Sequence, residues 1–575
     1  MLLVDFEKQM LSIPSLLSGT LVALLAFLSA FGGVRGQFYH AAVVVALASA
    51  VFYRAGVPRS AAPSRAAVAA AKATGSALRS PTTGDCFVSP LHTLLLPSVF
   101  LAERVAVRAA AVGYNSLPLY GALWWAVEDS GCLLDISGWP LLMLVSSTLY
   151  ATTLNPAVLG FTFFVVSARE SGSALRKVLP RGEAHVVAGL CGFLVADCLF
   201  NTTLERATIK TVSTTTAEHV IGRSALLAAW LFCVALDRTL DRALWLMGPK
   251  HAPAKRAIAV STVAVLSLVT AFVLFTRVSL RDRPGDAVIM LRDEVFGPVY
   301  PAVLPAMPGT GRMQLVALWA VLLPAAVAAS FAVAPRLTRT VSRKLFHFMI
   351  AVAFFVTSAV DPDFMSFMWS LAIAFTVVCE ALRYCRCCYP LDAMFSLVSD
   401  ELVEPGVRVY RTHIYLMLGS AFPLFVNHRL TYHLADAIPW ESRVLMNVVP
   451  GLAMLGVFDA VAAVIGSTMG RKTWSLVVNA KRNPAASKRT IEGSLAGMLC
   501  TFLYAAGVLV YAAHWRESAS AAVLSLSFPV TPFVALAVLP TFAAALLEAT
   551  TSGSDNLEVP LFTTAISLLC CAFLG

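Results

Sequence analysis

The chain has 575 residues, of which 58% are hydrophobic and only 13% charged, and its mean hydropathy is +0.76. Soluble domains carry roughly 25% charged residues, so this composition excludes a water-soluble globular protein and indicates a polytopic membrane protein. The net charge of +10 is modest for this length and is gathered in loops, as positive-inside topology requires, and no basic–aromatic motif points to nucleic acid. At about 20 apolar residues per span, the chain has room for roughly 13 to 16 transmembrane helices, and the expected class is all-α.

Residues 1–335 read as an N-terminal multi-span region with little visible chemistry. The apolar run at 16–31 comes after Asp5, Glu7 and Lys8 and flows into a second apolar run after Tyr39. It therefore reads as a retained first span rather than a cleaved signal. Residues 54–85 form an Ala, Ser and Pro linker with scattered Arg and Lys, the composition of a disordered cytosolic loop. Trp124, Trp125 and Trp139 suit interfacial anchoring, with a lipid-lining groove as the alternative. Asn201, Thr202 and Thr203 match a glycosylation sequon, a hint of a lumenal loop. Residues 277–312 mix charges, prolines and glycines and suit a small extramembrane lid. Of the 12 cysteines, Cys385, Cys387 and Cys388 cluster after a helix, beside Arg383 and Arg386. Palmitoylation and a weak metal site are the alternatives there to reduced structural thiols.

Residues 336–575 change character and read as a C-terminal catalytic membrane domain. Apolar runs predict helices near 345–360, 364–382, 412–425, 444–466, 491–514, 521–547 and 557–573. With sides alternating, the loops at 336–344, 383–411, 470–489 and 549–556 share one face. They hold roughly fourteen Lys and Arg against about three opposite, so that face is expected to be cytosolic.

The chemistry concentrates between Gly456 and Gly497. Asp459 falls among Val, Ala and Ile inside a span, where an ionisable side chain is costly and marks a functional site by default. Gly466 and Gly470 punctuate the turn after it. A basic run with Lys481, Arg482, Lys488 and Arg489 comes next, and Glu492 and Gly493 open the next helix. Glycines admit close backbone approach, and exposed N–H groups beside cations make an anion-binding concavity. The combination suggests a metal–polyphosphate site at a membrane surface, with helix packing as the alternative for the glycines. Asp459 is a metal ligand or a neutral carboxyl bonded to a neighbouring helix. Glu492 completes a metal site or favours a helix dipole, and Lys488 and Arg489 are polyphosphate clamps or membrane anchors. Arg343, Lys344 and His347 offer a phosphate two cations and an imidazole from one helix face. Their alternative is snorkelling around a packed histidine. Near the C-terminus, Glu548 and Asp555 flank a turn rich in Ser and Thr; Asp555 is a metal ligand, a base or an ordinary N-cap.

These residues also carry a resemblance to a known family. Asp459, Ala462, Ala463, Gly466 and Gly470 resemble the G-D-x-x-A-S/A-x-x-G-x-x-x-G stretch of the CTP-dependent polyprenol kinases, the dolichol kinase family and its phytol and farnesol relatives. Lys488, Arg489, Thr490, Ile491, Glu492, Gly493 and Ser494 resemble its K-x-x-E-G-T segment. Glu548, Ala549, Thr550, Asp555, Asn556 and Pro560 resemble its E-A-x-T-x-x-x-D-N-x-x-x-P run, and Arg343, Lys344 and His347 its R-K-x-x-H motif. Phe458 stands where the family has glycine, Ser494 where it has threonine, and the basic insert is longer than the family connection. Thr412, His413, Ile414, Tyr415 and Leu416, with Gly419 and Pro423, are similar to a stretch typical of dolichol kinases, while Asp400 and Glu401 match an acidic tendency more loosely.

The resemblance covers roughly the C-terminal 240 residues and implies transfer of the γ-phosphate of CTP to dolichol in the endoplasmic reticulum membrane, with the site facing the cytosol. The product, dolichyl phosphate, serves protein glycosylation and GPI-anchor synthesis. It implies catalytic roles for Asp459, Glu492, Asp555 and His347, with Asp459, Glu492 and Asp555 also holding a divalent metal, expected to be Mg2+. Arg343, Lys344, Gly466, Gly470, Lys488, Arg489 and Gly493 would bind the nucleotide, and His413 and Tyr415 the alcohol. The alternatives are a phytol or farnesol kinase, a CDP-lipid cytidylyltransferase, whose S-x-x-x-R and K-D-x-x-x-P-G-H-G-G pattern is not found, and a transporter, for which no internal repeat is seen.

Overall fold

The structure is a computed structural model that describes residues 179–196, 217–247, 311–333, 339–384, 409–434, 438–476, 489–520, 529–551 and 554–574, with isolated positions in 167–175 and 261–297. The expected first span, the 54–85 linker, the tryptophan cluster, the sequon and most of the 277–312 loop lie outside the described residues. So do Cys385, Cys387, Cys388, Asp400, Glu401, Lys481, Arg482, Lys488 and the side chain of Arg343. Helix α1 (Arg181–Ala196) falls almost wholly in one compact unit, and Leu194–Gly575 belong to a second, which holds the other helices.

That second unit contains α2 (Ala217–Met247), α3 (Arg312–Val333), α4 (Arg339–Val360), α5 (Pro362–Tyr384), α6 (Arg411–Leu434), α7 (Trp440–Thr468), α8 (Ile491–Ser520), α9 (Val530–Ala549) and α10 (Asp555–Leu574). Among the described residues no strand forms; Thr473 and Thr490 make an isolated bridge. Among the described residues four helices are long and apolar enough to cross a bilayer, namely α5, α7, α9 and the Ile491–His514 part of α8. The protein is an all-α membrane protein. The helices expected at 345–360, 364–382, 412–425, 444–466, 491–514 and 557–573 are all present, each running a few residues further, because polar end turns such as Arg339–Lys344 continue the helix beyond its apolar run.

Helix α7 is the most buried of the four spans; α4, α6, α8, α9 and α10 pack around it, while α5 packs on α2, α4 and α6. Its middle, Val449–Phe458, is a π-helix. Pro450 has no N–H to give the carbonyl of Met446 four residues earlier, and the side-chain amide of Asn427 on α6 donates to that carbonyl instead, at 2.6 Å. The wide turns end where the Asp459 N–H reaches back to the carbonyl of Met454, and regular α-helix resumes at Asp459. Such wide turns are frequent at functional sites, and here they set the direction in which the side chains of the next α-helical turns point. Phe458 has an ordinary helical backbone (φ −58°, ψ −57°), so the position does not need the glycine of the family pattern. Its ring is buried among Met454, Ala544, Ala545 and Val559.

Small residues let the neighbouring helices approach α7 closely, the usual packing device in membranes. A Cβ on Gly456 would lie 2.5 Å from the Cβ of Ala351 and 3.0 Å from the His347 carbonyl on α4. One on Gly493 would lie 2.5 Å from the Ala462 carbonyl, which brings the start of α8 against the end of α7. Tyr504 on α8 donates to the Ala351 carbonyl at 2.8 Å, closing α4, α7 and α8 into one group.

Polar staples hold both ends of the bundle. At one end Arg312 forks onto Asp361 (2.8 and 3.1 Å), bonds Glu218 and reaches the Val295 carbonyl at 2.8 Å, while Asp361 caps α5 through the Phe364 N–H. Near the other, Glu380 binds Arg383 through two contacts (2.7 and 2.6 Å) and accepts the Tyr410 N–H at 2.7 Å, tying the end of α5 to the start of α6.

The glycine crossings predict a sharp contrast between two substitutions. Gly456→Val should lower stability by about 1–3 kcal/mol, the usual cost of overpacking, because the opposing atoms include backbone. Gly507→Ala, which meets nothing within 4 Å, should leave stability unchanged or raise it slightly. Thermal unfolding of the two variants in one detergent checks both.

Candidate functional site

The ends of five helices meet at one end of the bundle. Helices α4, α8 and α10 begin there, and α7 and α9 finish there. Lys344 and His347, one turn apart near the start of α4, both reach the Asp459 carboxylate: Lys344 Nζ lies 2.5 Å and His347 Nδ1 3.0 Å from Oδ2. The two residues do share a face, because three residues along a helix return to nearly the same side. Nδ1 of His347 also lies 3.1 Å from the Leu455 carbonyl in the π segment. Facing two oxygen acceptors, Nδ1 carries the ring proton. A lone carboxylate so buried would be costly, and the lysine is its counter-charge.

Asp459, Glu548 and Asp555 bring a carboxylate oxygen each within 4.8 Å of one another. Glu548 is the penultimate residue of α9, and Asp555 is the first of α10, so the short turn between the helices brings them round to Asp459. Arg489, just before α8, holds that turn. Its guanidinium donates to the Thr551 carbonyl at 2.9 Å and lies 3.4 Å from Asp555 Oδ2. Thr551 in turn donates its hydroxyl to Glu558, one turn into α10. Sequence reasoning sees Glu548 as flanking the turn but gives it no site role; its spacing from Asp555 is the signal that could have found it.

Glu492 stands apart from this group. Its carboxylate lies at the surface and accepts the Lys472 N–H through both oxygens, each at 3.1 Å. It belongs to the base of the hairpin that carries the basic insert. There the Trp474 N–H donates to the Arg489 carbonyl, Ile491 N–H to the Lys472 carbonyl, and the Trp474 indole to Ser494 Oγ at 3.0 Å. Thr490 caps α8 by accepting the Gly493 N–H at 3.2 Å.

The three expected nucleotide-binding glycines are packed on protein. A Cβ on Gly466 would lie 2.8 Å from Thr490 Oγ1, and one on Gly470 would lie 2.4 Å from the Gly466 carbonyl. Together with Gly493 they let α7, the turn and Thr490 nest closely. On α6, Tyr415 is buried in the bundle and His413 is half-buried at the first turn; neither has a described contact with the three carboxylates. Gly419, farther along α6, packs on the Asn556 carbonyl at the start of α10, so α6 flanks the helix that carries Asp555.

A mouse dolichol kinase is 26% identical to the chain over 226 residues, 39% of this chain and 37% of the relative. This chain is similar to dolichol kinases. A dolichol kinase of Arabidopsis thaliana is 25% identical over 264 residues, 45% of this chain and 40% of the relative. One of Saccharomyces cerevisiae is 23% identical over 201 residues, 34% of this chain and 33% of the relative. The matches thus span well under half the length of these relatives. No family model matches the chain, and no solved structure matches it.

The Lys344–Asp459 contact carries a stability prediction. Lys344→Met leaves Asp459 without its lysine and should cost about 3–5 kcal/mol, as breaking one side of a buried pair does. Adding Asp459→Asn to the same chain should recover much of that loss. A double-mutant comparison by thermal unfolding reads both; additive losses would show that the two side chains do not depend on each other.

Proposed function

We propose that the protein is a dolichol kinase that transfers the γ-phosphate of CTP to a long polyisoprenoid alcohol at the cytosolic face of the endoplasmic reticulum membrane. The observation that carries this reading is the convergence of Lys344, His347, Asp459, Arg489, Glu548 and Asp555 at the ends of membrane helices. Cations and clustered carboxylates at a bilayer surface suit a reaction between a charged nucleotide and an apolar alcohol. The curated relatives named dolichol kinase support the same choice over phytol or farnesol kinases, cytidylyltransferases and transporters.

Phosphoryl transfer asks a protein mainly for positioning and neutralisation of charge. In this reading Lys344 has two N–H groups left after bonding Asp459 and directs them to phosphate oxygens, and Arg489 keeps the Thr551–Asp555 turn in register. The alcohol oxygen forms the new bond to the γ-phosphorus, the bond to the bridging oxygen breaks, CDP leaves with that electron pair, and the hydroxyl proton passes to a carboxylate of the group. Asp459 and Asp555 offer the oxygen ligands that a hard divalent cation takes, and such a cation, when bound, neutralises triphosphate charge. His347 orients Asp459 through Nδ1. His413 and Tyr415 remain the candidates for alcohol contact on α6, and the basic run through Lys488, with Arg343, for further phosphate contacts.

Membranes containing the protein, incubated with γ-labelled CTP and dolichol, should transfer label to the lipid. Preference for farnesol or phytol, or use of ATP in place of CTP, would redirect the assignment within the family; label released only as free phosphate, or retained in the nucleotide, would remove it. Asp459→Asn nearly preserves shape, so its protein should accumulate normally while turnover falls on the order of a hundredfold or more. Near-normal turnover at saturating CTP and metal would make Asp459 a packing residue.

Topology supplies an independent check. Cysteines introduced near Asn479 and Ser552 should react with an impermeant reagent from the cytosolic side, and one near Tyr432 should not. Labelling of Asn479 and Ser552 from opposite sides would separate the two halves of the site.

A further inference from the structure

The three clustered carboxylates are not equivalent. Asp459 Oδ2 is taken by Lys344 and His347. Asp555 faces Arg489 with Oδ2 and accepts the Asn556 N–H with Oδ1. Glu548 is 8% exposed, and among the described residues it makes no hydrogen bond and no ion pair, although its carboxylate is aimed at the other two. Glu558, close by on α10, is engaged by the Thr551 hydroxyl and does not belong to the group.

Counting charges sharpens the contrast. Two fixed cations, Lys344 and Arg489, face three carboxyl groups, so the third has no cation of its own among the described residues and either keeps a proton or takes a bound cation. Buried charges are paired or coordinate metals. Hard divalent cations take oxygen ligands, and with nucleotides they are held by one or two carboxylates plus phosphate oxygens and water. Glu548 has both oxygens available for that purpose, and Asp459 has Oδ1. Glu492 lacks the position, since its carboxylate accepts the Lys472 N–H at the hairpin base and does not belong to the group.

We propose that Glu548 is a ligand of a divalent cation held together with Asp459 and Asp555, and that Glu492 is not. The role of that cation rests on the phosphotransfer reading, whereas its binding is measurable without any substrate. With the three carboxylates ionised around it, a 2+ ion leaves one net positive charge at this point, which suits the later arrival of a polyphosphate.

The test is a titration of the purified full-length chain in nanodiscs with Mn2+, free ion being tracked by electron paramagnetic resonance, with and without CTP. The wild-type chain should show a strong site. Glu548→Gln should weaken it at least about tenfold, Glu548→Asp less so, and Glu492→Gln should leave it unchanged. Unchanged affinity in Glu548→Gln, or an equal loss in Glu492→Gln, overturns the proposal. If Glu548→Gln does not fold, carbodiimide modification of the wild-type chain decides: Mg2+ should protect Glu548 from labelling, and labelling indifferent to Mg2+ overturns it. A chain that binds Mn2+ through Glu548 but transfers no phosphate from CTP keeps this site and loses the kinase reading. An active kinase whose Glu548→Gln variant binds Mn2+ normally does the reverse.

Discussion

A buried carboxylate on the central helix organises this end of the molecule. Asp459 lies where the π-helical turns of α7 give way to regular α-helix, and its charge there is tolerable only because Lys344 and His347 of α4 reach it. The same contact fixes how α4 crosses α7, since Gly456 must admit Ala351 and the His347 carbonyl for the side chains to meet. Buried ion pairs seldom add much net stability over an apolar replacement.

The π segment links packing to that chemistry. Pro450 removes one backbone donor, Asn427 takes over the stranded Met446 carbonyl, and the widened turns leave the Leu455 carbonyl beside His347. A histidine gripped at Nδ1 by a carbonyl and a carboxylate has a defined orientation. Around it, Thr490 and the close-packed glycines lock the start of α8 against the end of α7, and Arg489 carries that restraint across to the α9–α10 turn. The motif-like residues therefore divide into those that hold the frame and those whose side chains enter the charged group.

Glu492 illustrates that division. It shares a motif with Lys488 and Gly493, yet its carboxylate closes a hairpin, whereas Glu548 enters the carboxylate group from the end of a different helix. Phe458 makes a complementary point. A glycine-to-phenylalanine difference beside the central aspartate is accommodated because the backbone is helical there and the ring fills a pocket lined partly by small residues, Ala544 and Ala545.

The helical class, the positions of the C-terminal spans and Asp459, Lys344 and His347 as the residues to watch were legible in the chain itself, and the structure brings those three side chains together. Apolar run length reports spans directly, and an ionisable residue in such a run is conspicuous because the bilayer gives it no solvent. The three-residue spacing of Lys344 and His347 put them on one face without any tertiary information. Local pattern did not contain the π segment, where Pro450 frees the Met446 carbonyl and Asn427 of another helix takes it up, nor the packing role of Gly466, Gly470 and Gly493, since glycine looks the same in sequence whether a phosphate or a neighbouring helix lies against it. Above all, Glu492 and Glu548 are both carboxylates at helix ends within motif-like stretches. Which one joins Asp459 depends on how α8 and α9 are placed around α7, and only the packed bundle decides that.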